Sequence, residues 1–336
     1  MRVITLAHGS GGRVNSDLIS NIFFKHFQND ILMQQNDSSL LQKLNCSKIA
    51  VTTDSFVIRP LFFPGGDIGK LSICGTINDL AVSGAKPVYL TAAFIIEEGL
   101  NIDTLEKIVV SMAQTAKKAN VNIIAGDTKV VERGKGDKIY INTTGIGIIE
   151  DDNRILSANN IKGGDIVIVS GTLGDHGICV INEREDLGIS VDIKSDCSLL
   201  NILTQDILEV SENIKFMRDP TRGGLATTLN EIAELGKISM VINEKDIPIR
   251  DEVIGMCELL GFDPLYVANE GKLVVIASRD DAEKVLEAMK KNPLGRDSKI
   301  IGEVIDDNRN NVYLKTKIQG TRLLTMGEGE LLPRIC

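Results

Sequence analysis

Short runs of branched apolar residues alternate with amphipathic stretches along the first half of the chain. Residues 48–53, 88–96 and 140–149 are rich in β-branched side chains and predict strands. Between the first two, residues 71–84 carry Ile73, Ile77 and Leu80 at helical spacing. Residues 102–120 repeat that pattern with Leu105, Ile108, Val109 and Met112, behind an Asn101/Asp103 start signal. Residues 123–125 predict a short apolar strand that ends at Gly126. The polar stretch 150–154, followed by 159–164 with its glycines, breaks the alternation and predicts a domain boundary.

The second half opens with a strand at 165–170. A helix follows at 224–235, with Leu225, Leu229 and Ile232 on one face. From about Ser239 the pattern reads strand, helix (252–260), strand (272–277), helix (281–290), then strands near Ile300 and Val312. That order predicts an open α+β layer with helices packed on one side. Residues 319–336 hold Gly320, Gly327, Gly329 and Pro333 but no sustained period, and predict a mobile tail. The expected units are therefore 1–152, 153–318 and the tail 319–336. No internal repeat of fixed period is present.

Length and charge narrow the function classes. With 336 residues, two domains of roughly 100–200 residues each are expected. The formal charge of -9 argues against binding a nucleic-acid backbone, which needs a basic face. No apolar run approaches the ~18 residues that span a bilayer, and the N-terminus turns to glycine before a signal-like core develops. The six cysteines are scattered without a CxxC pair, which fits a reduced, cytoplasmic compartment better than a disulfide framework or a zinc ribbon.

Two nucleotide fingerprints fail. The run from Pro64 to Lys70 resembles a P-loop, but Pro stands where Gly is needed and Leu71 where a Mg²⁺-binding hydroxyl is needed. The Gly9–Gly12 run misses the dinucleotide spacing because position 14 is Val. Carboxylates at strand and loop ends stand out instead: Asp54, Asp67, Asp79, Asp127 and Asp219, most of them close to glycine. Taken singly, each is most simply a turn or helix-cap residue. Together they suit Mg²⁺ with a polyphosphate, which takes hard oxygen ligands. Asp127 and Lys129, two residues apart, share a face in an extended segment. Lys129 is then a phosphate ligand, a base, or half of a surface ion pair. Glu270 is catalytic or turn-forming, and the lone His8 and His176 read as structural.

The last five residues, Leu332-Pro-Arg-Ile-Cys336, place an oxidisable thiol at the end of a glycine-bearing arm, as carrier arms do. Arg334 favours its thiolate and the neighbouring carboxylate opposes it. Leu331, Leu332 and Ile335 offer apolar anchors for an inserted state.

These segments together resemble the HypE family of hydrogenase maturation proteins, within the PurM-like ATP-using superfamily. The resemblance is carried by HGSGGR (8–13), TTDSF (52–56), the long stretch 60–90, FIIEEG (94–99), GDTKVVERG (126–134), NTTGIG (142–147), DPTRGGLATTLNEIA (219–233), 255–273 and the terminal LPRIC. The aspartate loops are superfamily features, whereas the terminal PRIC is specific to HypE. The linking segments 28–47 and 183–198 look individual to this chain.

The resemblance implies a PurM-like fold, with an N-terminal α/β dimerisation domain, a C-terminal α+β domain, and ATP with Mg²⁺ in the cleft between them. It implies a carbamoyl group received on Cys336 from a HypF-like carbamoyltransferase, ATP-dependent dehydration to a thiocyanate, and cyanide delivery to iron on a HypC–HypD complex. On that basis Asp54, Asp67, Lys70, Asp79, Asp127, Thr128 and Asp219 bind the nucleotide, with Asp54, Asp79, Asp127 and Asp219 on the metal. Lys129 and Glu270 are alternative bases. Two alternatives stay open: another superfamily enzyme, such as a selenophosphate synthetase or thiamine-phosphate kinase, and a non-catalytic carrier that presents Cys336 to partners.

Overall fold

Two β-sheets organise the chain, and the sidedness of each follows from its residues. In this computed structural model the described residues are 2–10, 12–35, 38–41, 44, 46–150, 156–184, 191–307, 309–327 and 335. Helix α1 (Gly12–Leu18), a π-helical stretch at Ile19–Phe24 and the short α2 (Lys25–Phe27) lead into strand β1 (Lys48–Phe56). A small hairpin of β2 (Phe62–Phe63) and β3 (Gly66–Asp67) precedes α3 (Ile68–Val82), followed by β4 (Lys86–Glu97), α4 (Ile102–Lys118), β5 (Asn122–Val131) and β6 (Ile139–Ile149). The four long strands form one sheet in the order β1-β6-β4-β5.

One face of that sheet, with Leu90, Ala92, Phe94, Ile96, Ile139 and Ile141, is buried under the helices. The other face leaves Ile49, Val51 and Ile95 exposed. Helix α3 is apolar on nearly every side and is buried on nearly every side, as expected of a central helix. Helix α4 is amphipathic and buries Leu105, Ile108, Val109 and Met112, and the Asn101 side chain accepts from the Asp103 amide at its start. Strand β5 does not end at Gly126. A Cβ there would lie 2.7 Å from the Ala92 carbonyl oxygen, so the glycine permits close approach within a continuing strand.

The second sheet has seven strands in the order β13-β12-β9-β11-β7-β10-β8. Its elements are β7 (Ile166–Val169), α5 (Asp175–Arg184), α6 (Asn201–Val210), β8 (Ile214–Arg218), α7 (Gly224–Gly236), β9 (Ser239–Asn243), α8 (Asp251–Leu260), β10 (Val274–Ala277), α9 (Ala282–Lys291), β11 (Lys299–Ile305), β12 (Val312–Lys315) and β13 (Thr321–Leu323). Helices cover both faces, not the single side expected. Val167, Val169, Val274 and Ile276 pack with α7, while Ile166, Ile168, Val275 and Ala277 pack with α6 and α9. The unbroken apolar runs of β7 and β10 are what burial on both faces requires.

The chain does not become a tail at Gln319. Strand β13 pairs antiparallel with β12, Leu324 is buried, and the Tyr266 hydroxyl donates to the Thr325 carbonyl. Further on, Ile335 is 4% exposed and belongs to a core cluster that joins α3 and α4 to α5, α8 and Ala268. That cluster makes the two halves share one continuous apolar interior. Among the described residues no helix is long and apolar enough to cross a membrane.

Candidate functional site

A cleft of about 1240 Å³ opens between the two sheets, and acidic residues from five separate segments line it. Asp54 comes from β1, on the face turned toward α3. A Cβ at Gly75 of α3 would lie 2.9 Å from the Phe56 ring and 3.8 Å from the Asp54 carboxylate, so this glycine lets strand and carboxylate lie close over the helix. Asp79 projects from α3 and accepts from the Thr52 hydroxyl at 2.9 Å. Asp219 follows β8, where Gly223 and Gly224 take left-handed conformations (φ 75° and 60°) to turn the chain into α7. Any side chain at Gly224 would strike the Leu265 and Val267 carbonyls, 2.6 Å from its Cβ. Glu270 lies just before β10 at 3% exposure, and its Oε1 has no hydrogen-bond partner among the described residues.

The acids raise one another. Burial lifts the carboxyls of Asp54 and Asp79 above their usual values. The Asp219 carboxyl is pushed up to about 7, by burial first and then by the charge of Asp79. Burial and the neighbouring Asp219 hold Glu270 well above the normal glutamate range. Arg218 and Arg222 oppose this from the rim, and Arg218 also pairs with Glu231 at 2.7 Å. A cation and a phosphate entering here would relieve the repulsion. Among the described residues no three His, Cys, Asp or Glu side chains form a metal cage by themselves. The donor set fits Mg²⁺, which binds through one or two carboxylates and completes its shell with phosphate oxygens and water.

The expected site residues do not all meet there. Asp127 pairs in register with Ala93, which pairs with Asn142, which pairs with Ser55. Asp54 lies in the adjacent row, opposite Thr143, and therefore on the other face of the sheet. Asp127 is also three strands away from it, at ~4.8 Å per strand. Within one chain the register therefore sets Asp127 apart from Asp54, Asp79 and Asp219, three of the four aspartates expected on the metal. Lys129 shares the open face with Asp127, and both are exposed. Thr128 points the opposite way, is 7% exposed, and lines a separate cavity of about 320 Å³ beside Phe24 and Phe94.

Asp67 and Lys70 are structural. The Asp67 carboxylate caps α3, accepting from the Gly69 and Lys70 amides at 2.8 and 3.2 Å, and receives the Ser111 hydroxyl at 2.6 Å. Both oxygens are thus committed to tying α3 to α4. Lys70 Nζ donates to the Gly65 carbonyl at 2.7 Å and closes the 64–70 loop. Neither residue lines the cleft. Cys336 lies outside the described residues, as do Leu331, Leu332, Pro333 and Arg334.

The segment 195–198, within the 183–198 link that looks individual to this chain, organises the site. Asp196 accepts from the Glu270 and Gly271 amides at 3.0 and 3.3 Å and pairs with Lys272 at 3.3 Å. The Asn78 side chain, on α3, donates to the Ser198 carbonyl at 3.0 Å and accepts from the Leu200 amide at 2.8 Å. His176, buried at the start of α5, sits between the Ser195 hydroxyl and the Ile335 carbonyl, each at 2.7 Å. An Asp-Cys-Ser stretch directly before an apolar helical run was the available sequence signal, and it has no chemical specificity.

The chain matches two families in succession: AIR synthase related protein, N-terminal domain, over residues 35–149, and AIR synthase related protein, C-terminal domain, over residues 162–315. It is 48% identical over 333 residues to a carbamoyl dehydratase HypE of Cupriavidus necator, covering 99% of this chain and 95% of that one. A crystal structure of hydrogenase maturation protein HypE in complex with ATP superposes with a TM-score of 0.94 at 45% identity, covering 98% of this chain and 99% of that one. A crystal structure of a HypE–HypF complex contains a chain 48% identical, with a TM-score of 0.80, covering 92% of this chain and 99% of that one.

Proposed function

The chain belongs to the HypE family of carbamoyl dehydratases, and we propose that it dehydrates an S-carbamoyl group on Cys336 to a thiocyanate, with ATP, to supply cyanide for the iron centre of NiFe hydrogenase. The observation that carries this reading is the buried, unpartnered Glu270 oxygen in the same cleft as Ile335, one residue before the thiol.

The amide oxygen is a poor leaving group, so it attacks the γ-phosphorus of ATP and ADP departs. One nitrogen proton passes to solvent as the iminophosphate forms on Cys336. Loss of the second nitrogen proton then breaks the C–O bond, releases inorganic phosphate and leaves the nitrile. The oxygen of the carbamoyl group leaves in that phosphate. Glu270 takes that second proton: burial, with the charge of Asp219, raises its carboxylate's affinity for one well above that of an ordinary glutamate. Lys129 is exposed on the opposite face of the N-terminal sheet, away from these carboxylates, so Glu270 is preferred as the base. Asp54, Asp79 and Asp219 would hold Mg²⁺ against the phosphates, and that ion would neutralise charge on the transferring group. Arg218 and Arg222 orient the phosphate from the rim.

Two chains pair through the open sheet face, which covers Ile49, Val51 and Ile95 and brings Asp127 and Lys129 to the subunit junction. A HypF-like carbamoyltransferase loads Cys336, and a HypC–HypD complex accepts the cyanide. The reduced thiol this cycle needs places it in the cytoplasm. The test is ATP turnover. Hydrolysis should depend on prior carbamoylation and vanish in Cys336→Ala. Equal turnover with an unmodified tail would reject the reading.

A further inference from the structure

We propose that His176 is a positioning residue that latches the seated tail by the backbone carbonyl just before Cys336 and, through Ser195, ties the occupied seat to the segment that carries Glu270. The proposal rests on the dehydratase reading for its activity readout only.

The imidazole is fully buried and its edge packs against Phe63, with ring centroids 5.6 Å apart. A carbonyl only accepts, so Nε2 carries the proton given to Ile335, and Nδ1 accepts from the Ser195 hydroxyl. Ser195 Oγ in turn accepts from the Cys197 amide at 3.1 Å. Burial keeps the ring neutral, against the pull of Asp196. An ordinary core histidine takes both partners from elements that fold with it. Here one partner lies 159 residues along the chain, and without it a buried N–H is left unpaired.

The contact reads main chain rather than side chain. It therefore fixes the register of position 335, and the thiol-bearing residue follows one Cα step of ~3.8 Å later.

Ser195 cannot shift alone. Its amide donates to the Pro64 carbonyl at 2.9 Å, and a Cβ on Gly65 would lie 2.6 Å from its carbonyl oxygen. A Cβ on Gly271 would lie 2.0 Å from the Asp196 carbonyl oxygen. Backbones here touch with no room for side chains, and the Asp196 carboxylate holds the Glu270 amide. The seat of the tail and the placement of Glu270 thus share one rigid segment.

The experiment pairs two substitutions in the full-length protein. His176→Gln keeps a donor near the Nε2 position, whereas His176→Asn keeps only the contact toward Ser195. Alkylation of Cys336 is followed by mass spectrometry of the C-terminal peptide, alongside single-turnover dehydration of the carbamoylated protein. His176→Asn should label roughly 5- to 100-fold faster, the range for a buried donor losing its partner. It should also dehydrate more slowly at an unchanged ATP KM, while His176→Gln stays close to the parent. Should His176→Asn fail to fold, Ser195→Ala must show the same two changes in milder form. Equal labelling in the Asn and Gln variants overturns the latch. Faster labelling with an unaltered dehydration rate overturns the link to Glu270. An Asn/Gln split in labelling from a protein whose parent does not dehydrate upholds the latch and rejects the dehydratase reading.

Discussion

Two charged stations occupy opposite faces of the same four-stranded sheet. On the helix-covered face, Asp54 joins Asp79, Asp219 and Glu270, drawn from α3, the turn after β8 and the start of β10. On the open face, Asp127 and Lys129 stand in the light of solvent beside Ile95. The first station is enclosed by the fold of one chain, and its carboxylates are strained by one another and by burial. The second is not enclosed. One station is therefore complete in a single chain, and the other becomes a site only when something covers the sheet. That difference separates carboxylates that packing gathers within one chain from charged side chains that one chain leaves open.

The sharpest way to break this comparison is to alter the enclosed station. Glu270→Gln should slow dehydration by about 10²- to 10⁴-fold, the usual contribution of a positioned base, with ATP affinity little changed. Rapid-quench single turnover checks this. A rate unaffected by the substitution rejects Glu270 as the base. On the open face, Lys129→Ala should slow dehydration far less than Glu270→Gln, without lowering the melting temperature. Val51→Arg on the same face should convert a dimer to a monomer in light scattering. An unaltered dimer would remove the reason for covering this face.

A pH series separates the stations more finely. The Asp219 carboxyl rises from 3.8 to about 7 on folding, so the folded state holds a proton that the unfolded chain releases. Stability without nucleotide should therefore fall as pH rises from about 4 to about 7, by up to ~4 kcal/mol from this residue. Asp54, Asp79 and Glu270 shift in the same direction, so Asp219→Asn should reduce the slope without abolishing it. Mg²⁺ with ATP should flatten it. A slope identical in Asp219→Asn contradicts the mutual strain. The smallest effect belongs to Asp67→Ala, which should cost about 0.5–2 kcal/mol as a lost helix cap and leave ATP affinity intact. Weakened ATP binding at full stability would return Asp67 to the nucleotide site.

What was legible in the sequence follows the same division. Helix α4 announced itself because its period, cap and burial agree, and the strands β1, β4 and β6 did so through β-branched runs. The covering of both faces of the second sheet was readable in the unbroken runs of β7 and β10, but only by setting alternation aside. Asp67 and Asp219 look alike in sequence, each an acid shortly before a helix with glycine nearby. Only packing separates them: Ser111 and two amides use up the first, while the second faces other carboxylates. The 195–198 segment was illegible because its work is done by backbone amides and carbonyls, which any residues supply, and by Asp196, whose partners lie some 75 positions away. The separation of Asp127 from Asp54 was illegible for a related reason. Motif order along the chain does not say which face of a sheet a residue takes.

The central claim is that the enclosed station removes water from a group carried on Cys336. It is tested most directly by intact mass of the protein after carbamoylation, before and after ATP with Mg²⁺. The account predicts a loss equal to one water, mapped to Cys336, in the parent protein and not in Glu270→Gln. A carbamoylated mass that persists with ATP in the parent, or a water loss that maps elsewhere, would contradict it.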